Sequence, residues 1–336
     1  RPPLLLYGQR RMGKTSLLRN LRQLLPSSTV LFFVDGEGIS VSNDPADFLY
    51  GVASSMARSA EQHRQLSVPP PNRAQFAQNP FGTFNDWLDE IERALDANGD
   101  KIALLAMDEF EALDELFGKG RFDGTDVMRL LRNLIQHRPR FKVLLAGSHT
   151  LEEFRHWASY LINLQVVKIS YLNEHDTIDL IERPVPAFPL RYDPAACRRI
   201  LDLTRGHPHL VQLLCYEIVE LKNQQSLDDR LLVTLGDVEA AIPLALATGD
   251  FFFADLFNQV EGLGTEILYF LIDQPDSRID AEAIVQRFGQ EALRALELLL
   301  RRDVIEETAD GYRFQVELIR LWFKRYKPLA KYSRSV

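Results

Sequence analysis

The chain has 336 residues, 46% of them hydrophobic, and a formal net charge of −8. That length exceeds one typical core and predicts two or more domains, while the acidic balance excludes a globally basic nucleic-acid binder and leaves that role only to a local basic face. Cys197 and Cys215 are the only cysteines. They form no C-x-x-C pair and no metal-ligand spacing, so both read as small core residues in a reducing compartment. No apolar run reaches ~18 residues and no basic leader precedes an apolar stretch, which predicts a cytoplasmic protein without a membrane partner. The sequence opens at Arg1 without Met, a few residues before its first strand, and so reads as a piece of a longer polypeptide.

In chain order, the apolar run 4–7 predicts a strand and is followed by Gly8-Gln9-Arg10-Arg11-Met12-Gly13-Lys14-Thr15, a G-x-x-x-x-G-K-T phosphate loop. Ser16-Leu17-Leu18 continues it into a helix over 14–25, so the strand, loop and helix the motif requires are all present. Gly8 and Gly13 let successive N–H groups point at one anion, with the helix dipole adding positive charge. Lys14 is expected to reach the β- and γ-phosphates and Thr15 to hold Mg²⁺. The loop, residues 8–16, is thus a nucleoside-triphosphate site.

Short apolar runs at 30–34, 102–107, 143–146 and 166–169 predict further strands buried on both faces, alternating with helical patterns at 45–62, 84–97 and 126–137. This is the signature of an α/β domain with a parallel sheet. The ridge Phe84, Trp87, Leu88, Ile91 and Leu95 marks a core-facing stripe, which makes Trp87 a core residue. Residues 67–72 hold three consecutive prolines and read as an extended, solvated connector. The run 102–107 ends in Asp108-Glu109, the acidic strand end that hydrolysis needs. Asp108 is the candidate Mg²⁺ ligand and Glu109 the candidate general base. At the end of 143–146, Ser148 is the candidate γ-phosphate sensor and His149 the next; a helix cap is the competing reading.

From about 173 the strand signal stops, and helices at 176–181, 194–204 and 209–221 predict an all-helical domain. From 250, helical patterns at 256–272, 281–288 and 291–302 precede a hairpin with its turn at 309–311, the element order of a winged helix. A closing helix is expected over 318–326. The predicted domains are 1–172, 173–249 and 250–336.

Four segments together, the loop at 8–18, Asp108-Glu109, Ala146-Gly147-Ser148 and the run Gly206-His207-Pro208-His209-Leu210-Val211-Gln212-Leu213-Leu214-Cys215, resemble the STAND class and the related archaeal-type ATPases of the AAA+-like phosphate-loop group. The resemblance implies a nucleotide-binding domain, a helical lid and a winged helix acting as a switch between an ADP form and an ATP form that self-associates. It places Pro208 against the base or sugar. It further implies an effector or sensor region, fused or separate, outside this sequence. One branch of the family carries a Met-His-Asp motif whose His contacts ADP; the matching segment here is Phe314-Gln315-Val316-Glu317-Leu318, without His. Arg183, Arg205, Arg10 and Arg11 are arginine-finger candidates, each with a surface-charge or phosphate-proximal alternative. Absence of an N-K-x-D signature favours ATP/ADP.

Two other functions stay open. A DNA-acting ATPase of origin-recognition or transposition type would use the winged helix, where residues 278–336 carry twelve Lys/Arg against nine Asp/Glu. A module that binds nucleotide without turnover is the third, and Glu109 speaks against it.

Overall fold

A computed structural model describes residues 2–62, 66–113, 116, 124–148, 163–226, 229–260, 262–274 and 278–333, with side chains as far as Tyr326. The chain divides into two compact units, Arg1–Ser170 and Tyr171–Val336. His149 lies outside the described residues.

The first unit runs β1 (Leu4–Tyr7), α1 (Lys14–Leu24), β2 (Thr29–Asp35), α2 (Gly36–Ile39), α3 (Pro45–Gln62), α4 (Arg73–Gln78), α5 (Pro80–Ala97), β3 (Ile102–Asp108), α6 (Gly124–His137), β4 (Phe141–Gly147) and β5 (Gln165–Lys168). The five strands form one sheet in the order β2-β3-β4-β1-β5, every pair parallel. Alternate residues feed opposite faces: Leu5, Val30, Phe32 and Leu145 enter the larger core, whereas Leu6, Leu31 and Leu144 enter a smaller one with Leu18 of α1. Burial on both faces explains why these strands are apolar at nearly every position. Each predicted strand is present, and β2 and β4 extend beyond their apolar runs.

Two local features differ from expectation. Helix α4 is not foreshadowed by periodicity; six residues are too few to show it, and the Asn72 side chain starts it by accepting from the Ala74 N–H. The proline run is also not wholly solvated, because Trp87 of α5 buries its ring in the larger core and donates Nε1–H to the Pro69 carbonyl at 2.8 Å.

The second unit contains α7 (Glu174–Glu182), β6 (Arg191–Tyr192), α8 (Pro194–Thr204), α9 (Pro208–Asn223), β7 (Leu232–Val233), α10 (Leu235–Thr248), α11 (Asp250–Gln259), α12 (Leu263–Ile272), β8 (Arg278–Ile279), α13 (Ala281–Phe288), α14 (Glu291–Arg301), β9 (Ile305–Thr308), β10 (Gly311–Phe314) and α15 (Glu317–Ser333). Its expected helices are present with two corrections. The segment 173–249 is not purely helical, since β6 and β7 pair in parallel over two residues, a ladder too short to leave a period-2 pattern. The expected single helix over 256–272 is two helices. Gly262 adopts φ 75°, which no α-helix accommodates, and the Thr265 hydroxyl bonds the Val260 carbonyl at 2.8 Å across the break.

Strands β8, β10 and β9 form an antiparallel sheet in that order behind α12, α13 and α14. One core runs through the unit from Ile181 to Phe323. Both cysteines pack into it, and burial pushes the Cys197 thiol up to about 11 and that of Cys215 to about 12, the direction of inert thiols. Among the described residues no single helix is long and apolar enough to cross a membrane.

Helix α10 opens on a capping box in which Thr234 and Asp237 bond each other's backbone N–H groups. Burial by itself would raise the Asp237 carboxyl. Bonds from the Thr234 N–H, Gln225, the Thr234 hydroxyl and the nearly buried Lys222 ammonium at 3.1 Å override it and hold the group down to about 2. Because the folded value lies below the ordinary 3.8, the resulting stability is complete above that pH and is lost as pH falls towards 2. Asp237→Asn is expected to lower the melting temperature at pH 7 by an amount equivalent to about 2 kcal/mol, with the gap to the parent closing towards pH 2 in thermal melts.

Candidate nucleotide site

The β1–α1 connection is built around two backbone conformations that side chains resist: Arg11 has φ 64° and Gly13 φ 89°. They curl the loop so that its amides face one concavity, and a Cβ at Gly13 would meet nothing within 4 Å. Gly8 is required for a different reason. Its N–H bonds the Gly147 carbonyl, and a Cβ there would lie 2.6 Å from the Ile169 carbonyl oxygen, so loop, β4 and the end of β5 meet with no room for a side chain. Met12 is buried and anchors the loop; Arg10, Arg11 and Ser16 are exposed, and Thr15 is half-buried.

Helix α1 leaves its first N–H groups without a side-chain cap and has no acidic residue in its first turn. Helices α2, α4, α5, α7, α8, α10 and α13 are capped by Asp, Asn or Thr, whereas α9, α11, α12 and α14 lack a side-chain cap as α1 does; what sets α1 apart is the curled loop and Lys14 in front of it. An uncapped helix N-terminus carrying partial positive charge is a place for an anion. Lys14 lies in this opening, buried, with Nζ donating to the Gly8 carbonyl at 2.6 Å and the Gln9 carbonyl at 2.8 Å. Burial lowers its pKa, and the nearby Glu111, Asp108 and Glu109 carboxylates pull the other way.

Strand β4 separates β1 from β3, so the tips of all three strands lie side by side. Asp108 is buried at the end of β3, its Oδ1 accepting from the Glu109 N–H at 3.1 Å. Glu109 adopts φ 47°, an uncommon conformation for a side-chain-bearing residue, and the next N–H, of Phe110, bonds the Ala146 carbonyl of β4. Its carboxyl is pushed up by burial first and then by Glu111, Glu37 and Asp108, with Arg10 opposing. Ser148 follows β4 directly, but its N–H at 2.9 Å and its hydroxyl at 2.5 Å both donate to Oε1 of Glu111.

Charge and burial thus gather Lys14, Asp108, Glu109 and, through Glu111, Ser148 around the loop. Pro208 lies in the second unit as the first residue of α9, beside Gly206 at φ 77°. Of the arginine-finger candidates, Arg183 pairs with Asp179 and Arg205 with Glu306.

Sequence reading missed Gly36, Glu37 and Glu111. A Cβ on Gly36 would sit 2.5 Å from the Glu109 carbonyl oxygen and 2.6 Å from that of Asp108, so the acidic strand end rests on this glycine. Asp35-Gly36 aligned with Asp108 is visible only once the β2–β3 register is known.

The donor set suits a magnesium nucleotide. The hydroxyl of Thr15 and the carboxylate of Asp108 are hard oxygen donors, and Mg²⁺ with its retained waters and phosphate ligands needs no larger protein cage. Two buried polar atoms here, Gln9 Nε2 and Glu111 Oε2, have no hydrogen-bond partner among the described residues.

A curled phosphate loop on β1, an acidic end on β3 and a strand between them are the arrangement of the α/β P-loop NTPase fold. Residues 1–154 match the family model described as "AAA domain", so the first unit is similar to that family over this segment. A search of curated proteins found no match. Among solved structures, the chain is similar to the Walker-type ATPase PABY2304 of Pyrococcus abyssi, with TM-score 0.67, 16% identity and coverage of 96% of this chain and 91% of that one. It is also similar to the Aeropyrum pernix ORC2 protein, with TM-score 0.53, 14% identity and coverage of 97% and 89%. At these identities the likeness is one of fold.

Gly36→Ala is expected to cost about 1–3 kcal/mol through overpacking. That should weaken Mg²⁺-nucleotide binding at least about tenfold. Gly38→Ala is the control, because the nearest atom to its Cβ lies 3.9 Å away. Titration calorimetry with ADP separates the two; equal affinities would show that the strand end tolerates displacement.

Proposed function

We propose that this chain is an ATP-binding, slowly hydrolysing regulatory switch of the STAND type, in which nucleotide state controls domain arrangement and self-association. The observation that carries the nucleotide part is the buried Lys14 ammonium, folded onto the Gly8 and Gln9 carbonyls at the uncapped start of α1 with carboxylates of the β3 end nearby. In this reading incoming phosphates take over the lysine, and the loop amides of 8–16 hold them. Thr15 and Asp108 hold Mg²⁺, which supplies charge neutralisation on the phosphates. Glu109, with its proton affinity raised by burial and neighbouring carboxylates, takes a proton from the attacking water.

The regulatory part rests on chain layout. We read 1–172 as the nucleotide-binding domain, 173–249 as a helical lid and 250–336, with its helices α12–α14 and hairpin β9–β10, as a winged helix. Gly206 supports a role for the Gly-His-Pro segment: its carbonyl accepts from the Leu172 N–H at 2.9 Å, and a Cβ there would lie 2.3 Å from the Leu172 oxygen. Only Ser170 and Tyr171 separate Leu172 from Ile169, the residue against which Gly8 packs. A switch needs states that differ in affinity for ATP and ADP. Pro208 would contribute base or sugar contacts.

The DNA-acting alternative is carried by the helix-and-hairpin order. Its reading helix would be α14, whose exposed positions are Glu291, Leu293, Arg294, Glu297, Leu298 and Arg301. Two arginines balanced by two glutamates, with two leucines between them, make a poor phosphate-tracking surface. A mobility shift with duplex DNA at low salt that weakens steeply as salt rises would favour that reading over ours.

Lys14→Ala is expected to abolish measurable ATP and ADP binding. Glu109→Gln should bind ATP within about threefold of the parent and lose turnover by at least about 100-fold. Phosphate release under single-turnover conditions is the measurement, and a Gln variant that hydrolyses as fast as the parent contradicts the assignment of the base.

A further inference from the structure

Glu111 is a buried acidic residue of the site that the loop chemistry leaves without a task. It is nine-tenths buried, yet its surroundings satisfy only one of its two oxygens. Oε1 accepts both Ser148 bonds, whereas Oε2 is enclosed with no hydrogen-bond partner among the described residues. An unmet carboxylate oxygen in an enclosed position is costly and calls for a donor that arrives with a ligand. Of the three carboxylates that act on the Lys14 ammonium, Glu111 acts most strongly, ahead of Asp108 and Glu109. The oxygen without a partner therefore belongs to a group close to the phosphate cradle.

The same contact changes the reading of Ser148. A hydroxyl has one proton, and here it is committed to Glu111, so Ser148 has none to donate to a γ-phosphate while the pair persists. The left-handed turn at Glu109, pinned by the Phe110 N–H on β4, is what brings residue 111 back to the β4 tip.

We propose that Glu111 is a positioning residue of the nucleotide site, fixing Ser148 and the β4 tip through Oε1 while Oε2 accepts a hydrogen bond from a water that enters with the magnesium nucleotide. That water is either bound to Mg²⁺ or is the one that attacks the γ-phosphate; both present the same O–H donor. The inference rests on the ATPase reading above and adds a residue to it.

Glu111→Gln is the discriminating variant. Its amide oxygen still accepts both Ser148 bonds, but an NH₂ group replaces Oε2, so a water meets a donor where it needs an acceptor. A purely structural Glu111 predicts a variant like the parent. Our proposal predicts ADP binding without Mg²⁺ within about threefold of the parent, together with one of two changes. If the water attacks phosphate, kcat falls about 10- to 100-fold with KM unchanged. If it is bound to Mg²⁺, the gain in ADP affinity on adding Mg²⁺ shrinks at least about fivefold, read by calorimetry without turnover. A Gln variant matching the parent in both respects overturns the proposal. Should the parent bind nucleotide but never release phosphate, the ATPase reading falls and the Mg²⁺ arm alone decides on Glu111. Should the variant fail to fold, hydrogen exchange at the Ser148 amide of the parent decides: protection that persists on adding Mg²⁺-ADP supports a pair kept in both states, and its loss contradicts it.

Discussion

The first unit depends on one electrostatic arrangement: α1 opens without a side-chain cap, and the buried Lys14 ammonium at that opening is held by carbonyls of the loop itself. A buried ammonium is tolerable there because two carbonyl oxygens accept its protons and three carboxylates lie near enough to favour its charge. Such an arrangement is satisfied but exchangeable. Phosphate oxygens can replace the carbonyls and also meet the opening amides of the helix, which carries no side-chain cap. The glycines follow from the same need, since Gly8 and Gly36 occur where loop and strand ends close to within 2.6 Å of a hypothetical side chain.

Much of this was legible before any coordinates. Strands buried on both faces announce themselves as unbroken apolar runs, and the phosphate loop fixes the identity of the first one, so β1 to β5 and the Asp108-Glu109 end could be read in order. What could not be read depends on contacts across the sheet. Gly36 looks like any turn glycine until β2 is registered on β3, and Glu111 looks like one acid in an acidic turn until the left-handed backbone at Glu109 returns it to β4. Short or broken elements were lost for another reason. Strands β6 and β7 have two residues each, and the apolar pattern of α11 and α12 continues across Gly262 although the helix does not. Periodicity reports which residues face a core, not whether the backbone between them is continuous.

The second unit has the opposite character. A single core from Ile181 to Phe323 binds its helices and small sheets together, and buried or partly buried ion pairs such as Lys222–Asp237 and Arg313–Glu306 supplement that apolar packing. Within it, the Gly206 carbonyl accepts from the Leu172 N–H and holds the Gly-His-Pro corner against the start of the unit. The proposed switch places one requirement on the nucleotide: it must distinguish two states by free energy, because a ligand that binds both equally moves nothing.

The central claim is that the main-chain amides of the loop and first helical turn, with Lys14, enclose a polyphosphate. Amide hydrogen exchange across residues 9–16, with and without saturating Mg²⁺-ADP, measures this directly, because the start of α1 has no side-chain cap. The account predicts that exchange there slows at least about tenfold on adding nucleotide, as bound ligand suppresses opening in proportion to its occupancy. Unchanged exchange across the loop, with protection absent or confined to other segments, would contradict it.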